Sequence, residues 1–116
     1  MLGDLYYMGF GLPRDYSRAA KWYRNAAEGG DSRGQLGLAR IYYRGGGLPK
    51  DYKKAARWCR LAAEQGEIQA EVFLGDLYYS GIGVPKDPKE AAKWYRPAAE
   101  RGSLDAQLSL AGMYYY

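Results

Sequence analysis

The chain contains no histidine and a single cysteine, Cys59. The missing imidazole excludes Ser-His-Asp and Cys-His nucleophilic arrangements, as well as any zinc site that needs a histidine ligand. A lone cysteine cannot form an intrachain disulfide. No apolar run approaches the roughly 20 residues of a membrane-spanning helix. Met1 is followed by Leu2-Gly3-Asp4, with neither a basic nor an apolar leader segment, so no secretory signal is expected in this chain. A cytoplasmic protein and a processed or trimmed piece of an exported one would both read this way, and the compartment stays open. Charge of one sign is not in large excess: 17 Lys+Arg against 13 Asp+Glu leaves +4, scattered along 116 residues. Such a balance gives little support to nucleic-acid binding. No pair of carboxylates is placed with a companion base or metal ligand. Neither catalysis, a metal nor a cofactor is expected.

What the chain has in abundance is tyrosine and glycine, 13 and 16 residues, together with three tryptophans. Their positions disclose a repeat. Trp22, Trp58 and Trp94 are each 36 residues apart, and the same step joins Leu2, Leu38, Leu74 and Leu110. It also joins Tyr6, Tyr42, Tyr78 and Tyr114, the loop residues Gly11, Gly47 and Gly83, and Asp15, Asp51 and Asp87. Leu2–Gly37 and Leu74–Ser109 are identical at well over half of their positions. This is a tandem array, with units at approximately 2–37, 38–73 and 74–109 and a partial helix at 110–116.

Each unit reads as two helices. The first, near Ser32–Arg44, places Gly34, Leu38, Ile41 and Tyr42 on one face at helical spacing. Gly45-Gly46-Gly47-Leu48-Pro49 interrupts it, and Asp51 is suited to cap a second helix near Tyr52–Gln65. In the third unit Asp87-Pro88-Lys89-Glu90 adds proline in the first turn and an acid three residues after the cap. Gly66 should close the second helix in a left-handed conformation. Pro97 falls inside the second helix of the third unit, where it should bend the helix or cost about 3 kcal/mol. Paired alanines such as Ala55-Ala56 and Ala62-Ala63 let helix axes approach, with Trp58 expected to be a buried anchor. A single helix pair cannot bury both apolar faces, whereas stacked copies can.

The string Leu74-Gly75-x-x-Tyr78-x-x-Gly81-x-Gly83-Val84-x-x-Asp87-x-x-x-Ala91-x-x-Trp94-Tyr95-x-x-Ala98-Ala99-Glu100-x-Gly102 resembles the Sel1-like repeat family, relatives of the tetratricopeptide repeats. The resemblance extends over essentially the whole chain. It implies an all-α, right-handed α-solenoid of antiparallel helix pairs, about three 36-residue repeats, acting as a non-enzymatic protein-interaction scaffold. One secreted bacterial subfamily carries a disulfide in every repeat and is linked to β-lactam binding. This chain departs from that pattern, because Cys59 is alone and the matching positions are Tyr23 and Tyr95.

The side of the first helix opposite the core face carries Arg33, Leu36, Arg40 and Tyr43. The tyrosine recurs as Tyr7, Tyr79 and Tyr115, and the apolar position as Val72 and Leu108. Helices packed side by side would set these tyrosines about 8–10 Å apart as an aromatic ladder. Gln69 and Asp105 continue the column begun by Arg33. Asp4, Arg40 and Asp76 form another column of alternating charge, in which Arg40 is expected to bridge its acidic neighbours. The expected partner-binding strip is therefore Tyr7, Arg33, Leu36, Arg40, Tyr43, Gln69, Val72, Asp76, Tyr79, Asp105, Leu108 and Tyr115, facing a peptide or partner domain. A second reading makes the tyrosines inter-repeat packing with only their hydroxyls showing.

Two other functions stay in view. Helical-pair repeats can also read single-stranded RNA, but base readers vary polar residues at fixed positions and this ladder is uniformly tyrosine. Small-molecule binding of the β-lactam kind lacks the disulfides. Gly9-Phe10-Gly11 is a loop that recurs in each unit, without the Lys-Ser/Thr of a phosphate loop. Basic residues on the second helices, such as Lys53, Arg57 and Lys93, suit a solvated outer face. Arg24, Arg60 and Arg96 precede Glu28, Glu64 and Glu100 by four residues and could pair with them. The chain opens inside a first helix and closes at the end of one, without polar capping repeats. That arrangement suits an excerpt of a longer array, with self-association through uncapped ends as the alternative.

Overall fold

A computed structural model describes residues 16–115, with the side chains of 17–114. They form six helices: α1 Tyr16–Glu28, α2 Ser32–Arg44, α3 Tyr52–Glu64, α4 Ile68–Ser80, α5 Pro88–Glu100 and α6 Leu104–Tyr115. No strand occurs among the described residues. Each helix packs against the next in sequence. The opening helix expected from Leu2 and the loop at Gly9-Phe10-Gly11 lie outside the described residues.

Local chemistry sets the helix boundaries. The Asp31 carboxylate accepts from the backbone N–H of Arg33 at 2.8 Å and of Gly34 at 3.2 Å. Asp51 and Asp87 cap α3 and α5 by accepting from Lys54 and Glu90, both at 3.1 Å. Ser103 Oγ accepts from Ala106 at the start of α6. Glu67, which precedes α4, makes no side-chain cap bond. The first helices α2 and α4 end at Gly45 and Gly81, with φ of 81° and 73°.

The second helices share one termination. After α3, Gly66 N–H donates to Ala63 O and Glu67 N–H to Ala62 O, with Gly66 at φ 86°. Gly30-Asp31 and Gly102-Ser103 repeat the same pair of bonds after α1 and α5. This is the Schellman arrangement, which satisfies carbonyls that the helix leaves open. Its last residue is also the residue from which the next first helix starts, so one unit turns into the next without a linker. The longer loop inside each unit is fastened by Asp51 N–H to Tyr42 O and by Asp87 N–H to Tyr78 O. Pro97 lies within α5, whose helical assignment continues to Glu100. Having no N–H, Pro97 cannot donate to the carbonyl of Lys93, an exposed residue where water can replace the bond.

The core follows the helix pairs. Leu38, Ile41, Leu74 and Leu77 of the first helices are fully buried against the alanines of the second helices. Truncating one of these leucines to alanine should cost about 2–5 kcal/mol. Close approach requires glycine at Gly75, where an added Cβ would lie 2.6 Å from the Tyr95 ring. The tryptophans differ from expectation. Trp58 is only half-buried, at the seam between the two core clusters, and Trp22 is 41% exposed. The alanines leave the helices close enough that tyrosine and cysteine, at 23, 59 and 95, fill the centre instead.

Polar contacts also recur at the repeat step. Arg24 donates to the Tyr42 hydroxyl at 3.0 Å, Arg60 to Tyr78, and Arg96 to Tyr114 at 3.1 Å. The arginines therefore reach across to the following first helix rather than down their own helix to Glu28, Glu64 and Glu100. A second set stitches unit to unit. Gln65 Nε2 donates to Gly30 O at 2.9 Å and to Gln35 Oε1 at 2.8 Å. One repeat later Arg101 donates to Gly66 O at 2.8 Å and pairs with the buried Glu71.

Candidate functional site

Successive first helices α2, α4 and α6 line a groove of about 310 Å³. Arg40 comes from α2; Ile68, Gln69, Val72, Phe73 and Asp76 come from α4. Ser103 and Asp105 close it at the start of α6. A second groove of about 280 Å³ begins at Asp76, which belongs to both. Its walls are Tyr79, Tyr95, Leu108, Ser109, Gly112 and Met113. Residues one repeat apart are thus placed on facing walls because the first helices lie beside one another.

The grooves gather seven of the twelve expected residues: Arg40, Gln69, Val72, Asp76, Tyr79, Asp105 and Leu108. Arg33 is exposed on α2 and lines neither groove. Leu36, expected on the open face, is only 4% exposed and belongs to the core. Tyr43 packs edge-on against Phe73, with centroids 5.4 Å apart, and at a tilt on Tyr52 at 5.3 Å. Phe73 belongs to the next unit, so this contact runs between repeats. Tyr79, by contrast, is 48% exposed. Tyr7 and the side chain of Tyr115 lie outside the described residues, so the expected ladder is described only at Tyr43 and Tyr79.

Arg40 does not bridge to Asp76. Its Nη2 donates to Gln69 Oε1 at 2.9 Å, a partner supplied by the column next to its own. Asp4, the other expected neighbour, lies outside the described residues. Asp76 Oδ1 instead accepts from the Tyr95 hydroxyl at 2.5 Å. Partial burial raises the Asp76 carboxyl above the usual range, the Tyr95 bond opposes this, and the nearby charge of Asp105 adds to it. Burial and the bond to Asp76 raise the Tyr95 phenol in turn. Tyr95, Phe73, Ile68 and Met113 also line the grooves, and periodicity did not single them out. Tyr95 lies on a second helix and was matched only with Cys59, so no first-helix pattern could include it.

The side chains that meet here offer hydrogen bonds, charge and apolar contact. Cys59 is fully buried, donates to Ala70 O at 3.2 Å, and is raised from 9.0 to about 12, chiefly by burial. Such a thiol is a poor nucleophile. No group of His, Cys, Asp and Glu suited to hold a metal occurs among the described residues. No helix among them is long and apolar enough to cross a membrane.

Paired helices stacked at a fixed step, with a groove along the first helices, define an α-helical repeat solenoid. The Sel1 repeat model matches residues 1–31, 32–67 and 68–103, and the chain belongs to the Sel1 repeat family. Proteins of this family are generally protein-interaction scaffolds and typically non-enzymatic. Among solved structures, the chain is similar to c5321, a protective antigen of uropathogenic Escherichia coli strains with an SLR fold. The two share 40% identity and a TM-score of 0.94 over 97% of this chain. It is also similar to a Sel1 repeat protein from Oxalobacter formigenes, at 42% identity and TM-score 0.84 over 90% of this chain. The chain spans 24% and 43% of the lengths of these two relatives. Helicobacter pylori cysteine rich protein B matches at 30% identity and TM-score 0.73, over 77% of this chain and 67% of its own. No curated protein sequence matches the chain.

Proposed function

We propose that this chain is a non-enzymatic interaction module that binds a peptide or partner domain along the concave strip of its first helices. The supporting observation is the continuous pair of grooves meeting at Asp76, where apolar and polar side chains from three successive first helices converge. Tyr79 and Leu108 are its exposed apolar contacts, 48% and 62% exposed. Amphipathic tyrosine gives large contact area at low cost in side-chain entropy, as interaction surfaces favour. Affinity capture followed by mass spectrometry tests this reading. Replacing Tyr79 and Leu108 by serine should abolish capture while the far-UV spectrum stays helical. Reversing Lys53, Arg57 and Lys93 to glutamate should leave capture intact. The opposite ranking would move binding to the second helices, and a steep salt dependence with it would favour nucleic acid.

A further inference from the structure

The charge pattern of the double groove narrows the partner's chemistry. Asp76 stands at the junction and Asp105 on the facing helix, both lining the same cavity. Among the described residues neither carboxylate has an ion-pair partner; Asp76 has the neutral Tyr95 hydroxyl, through Oδ1. Arg40, the cation of that cavity, is directed to Gln69. The charge of Asp105 adds to what holds the Asp76 carboxyl above its usual range, and an incoming cation between them would be favoured. The second groove, on the other side of Asp76, offers Tyr79, Leu108 and Met113 as an apolar wall. The polarity is local, because the chain as a whole is basic and its second helices carry Lys53, Arg57, Lys89 and Lys93.

From this charge complementarity we propose that the occupant is an extended peptide segment with a lysine or arginine side chain between Asp76 and Asp105, and a neighbouring apolar side chain against Tyr79, Leu108 and Met113. The inference rests on the groove being the partner-binding surface and adds the class of sequence that it selects. Arginine is favoured over lysine, since its planar fork can donate to more than one carboxylate oxygen while Tyr95 keeps Asp76 Oδ1.

The probe is a random short-peptide library displayed on phage and selected on the purified chain. The expected result is enrichment of Arg or Lys beside a large apolar residue. Fluorescence anisotropy with an enriched peptide should then show at least about tenfold weaker binding to Asp76→Asn/Asp105→Asn, and weakening by added salt for the wild type. Asparagine keeps an acceptor for Tyr95, and Asp105 is exposed, so the helical spectrum should be unchanged. Asp105→Asn alone should give part of the loss if the fold of the double variant suffers. Enriched peptides with no basic preference, insensitive to both aspartates but lost with Tyr79→Ser/Leu108→Ser, would overturn the inference and leave the groove as the binding surface. Peptides insensitive to all four positions would overturn both. Failure to enrich any peptide would overturn the inference, while the capture experiment with Tyr79→Ser/Leu108→Ser would still decide the groove.

Discussion

Cys59 replaces a tyrosine found at the equivalent positions 23 and 95, and the equivalent position on the following first helix changes size with it. Where Tyr23 stands, the following first helix carries Gly37, with no room for a Cβ beside the ring. One repeat on, Cys59 is matched by Phe73, and one further, Tyr95 by Ser109. Large opposite small is kept in each unit, with the sides exchanged at the middle one. Cys59→Tyr should therefore overpack its site by about 1–3 kcal/mol, and adding Phe73→Gly should recover most of the loss. A double-mutant cycle by chemical denaturation measures this; additive losses would contradict it. The buried thiol makes a second prediction. Its proton is held more tightly in the folded chain, at about 12, than at the ordinary 9.0. The stabilisation is complete below 9.0 and lost as pH rises toward 12. Wild-type stability should fall more steeply across that window than that of Cys59→Ala, and parallel curves would contradict the assignment. The identity of Cys59 as a tyrosine substitute was legible from the repeat, but its compensation by Phe73 was not, because it couples positions on different helices.

The helices themselves were legible because their signals are local. Asp51, Asp87 and Pro88 marked starts, and Gly66 marked an end; the structure places the caps and the positive φ at those residues. The ion pairs were misread because only the same helix was considered. Arg24, Arg60 and Arg96 find tyrosine hydroxyls on the following first helix. Leu36 was misplaced for a related reason. A helix inside a solenoid touches neighbours on both flanks, so its buried arc is wider than that of a surface helix. The stitches between units also carry a prediction. Gln65–Gln35 and Arg101–Glu71 occupy equivalent positions, one neutral and one charged. Glu71 is buried, which raises its carboxyl, while Arg101 opposes the shift. Removing the cation alone, as Arg101→Gln, should cost about 1–3 kcal/mol, below the full value for a buried pair because Arg101 is partly exposed. The double change Arg101→Gln/Glu71→Gln copies the preceding repeat and should restore stability to within about 1 kcal/mol of wild type. Denaturant midpoints of the three proteins check this; a double variant as weak as the single one would contradict it.

For the whole molecule, stacking converts a modest feature of one helix into a surface. A single first helix offers only a few outward side chains, whereas α2, α4 and α6 together line two adjoining grooves. Periodicity identified the array and much of the groove's lining, because equivalent residues align along a solenoid. It could not show which rungs are open. Tyr43 is covered by Phe73 and Tyr52, while Tyr79 remains exposed, and this difference depends on non-equivalent neighbours. On the proposed function, partners bind along the first helices. Amide chemical-shift mapping of the chain with a selected peptide tests it most directly. Shifts should concentrate on Gln69, Val72, Asp76, Tyr79, Asp105 and Leu108, with Lys53, Arg57 and Lys93 unmoved. Shifts centred on those three basic residues, with the groove silent, would contradict it.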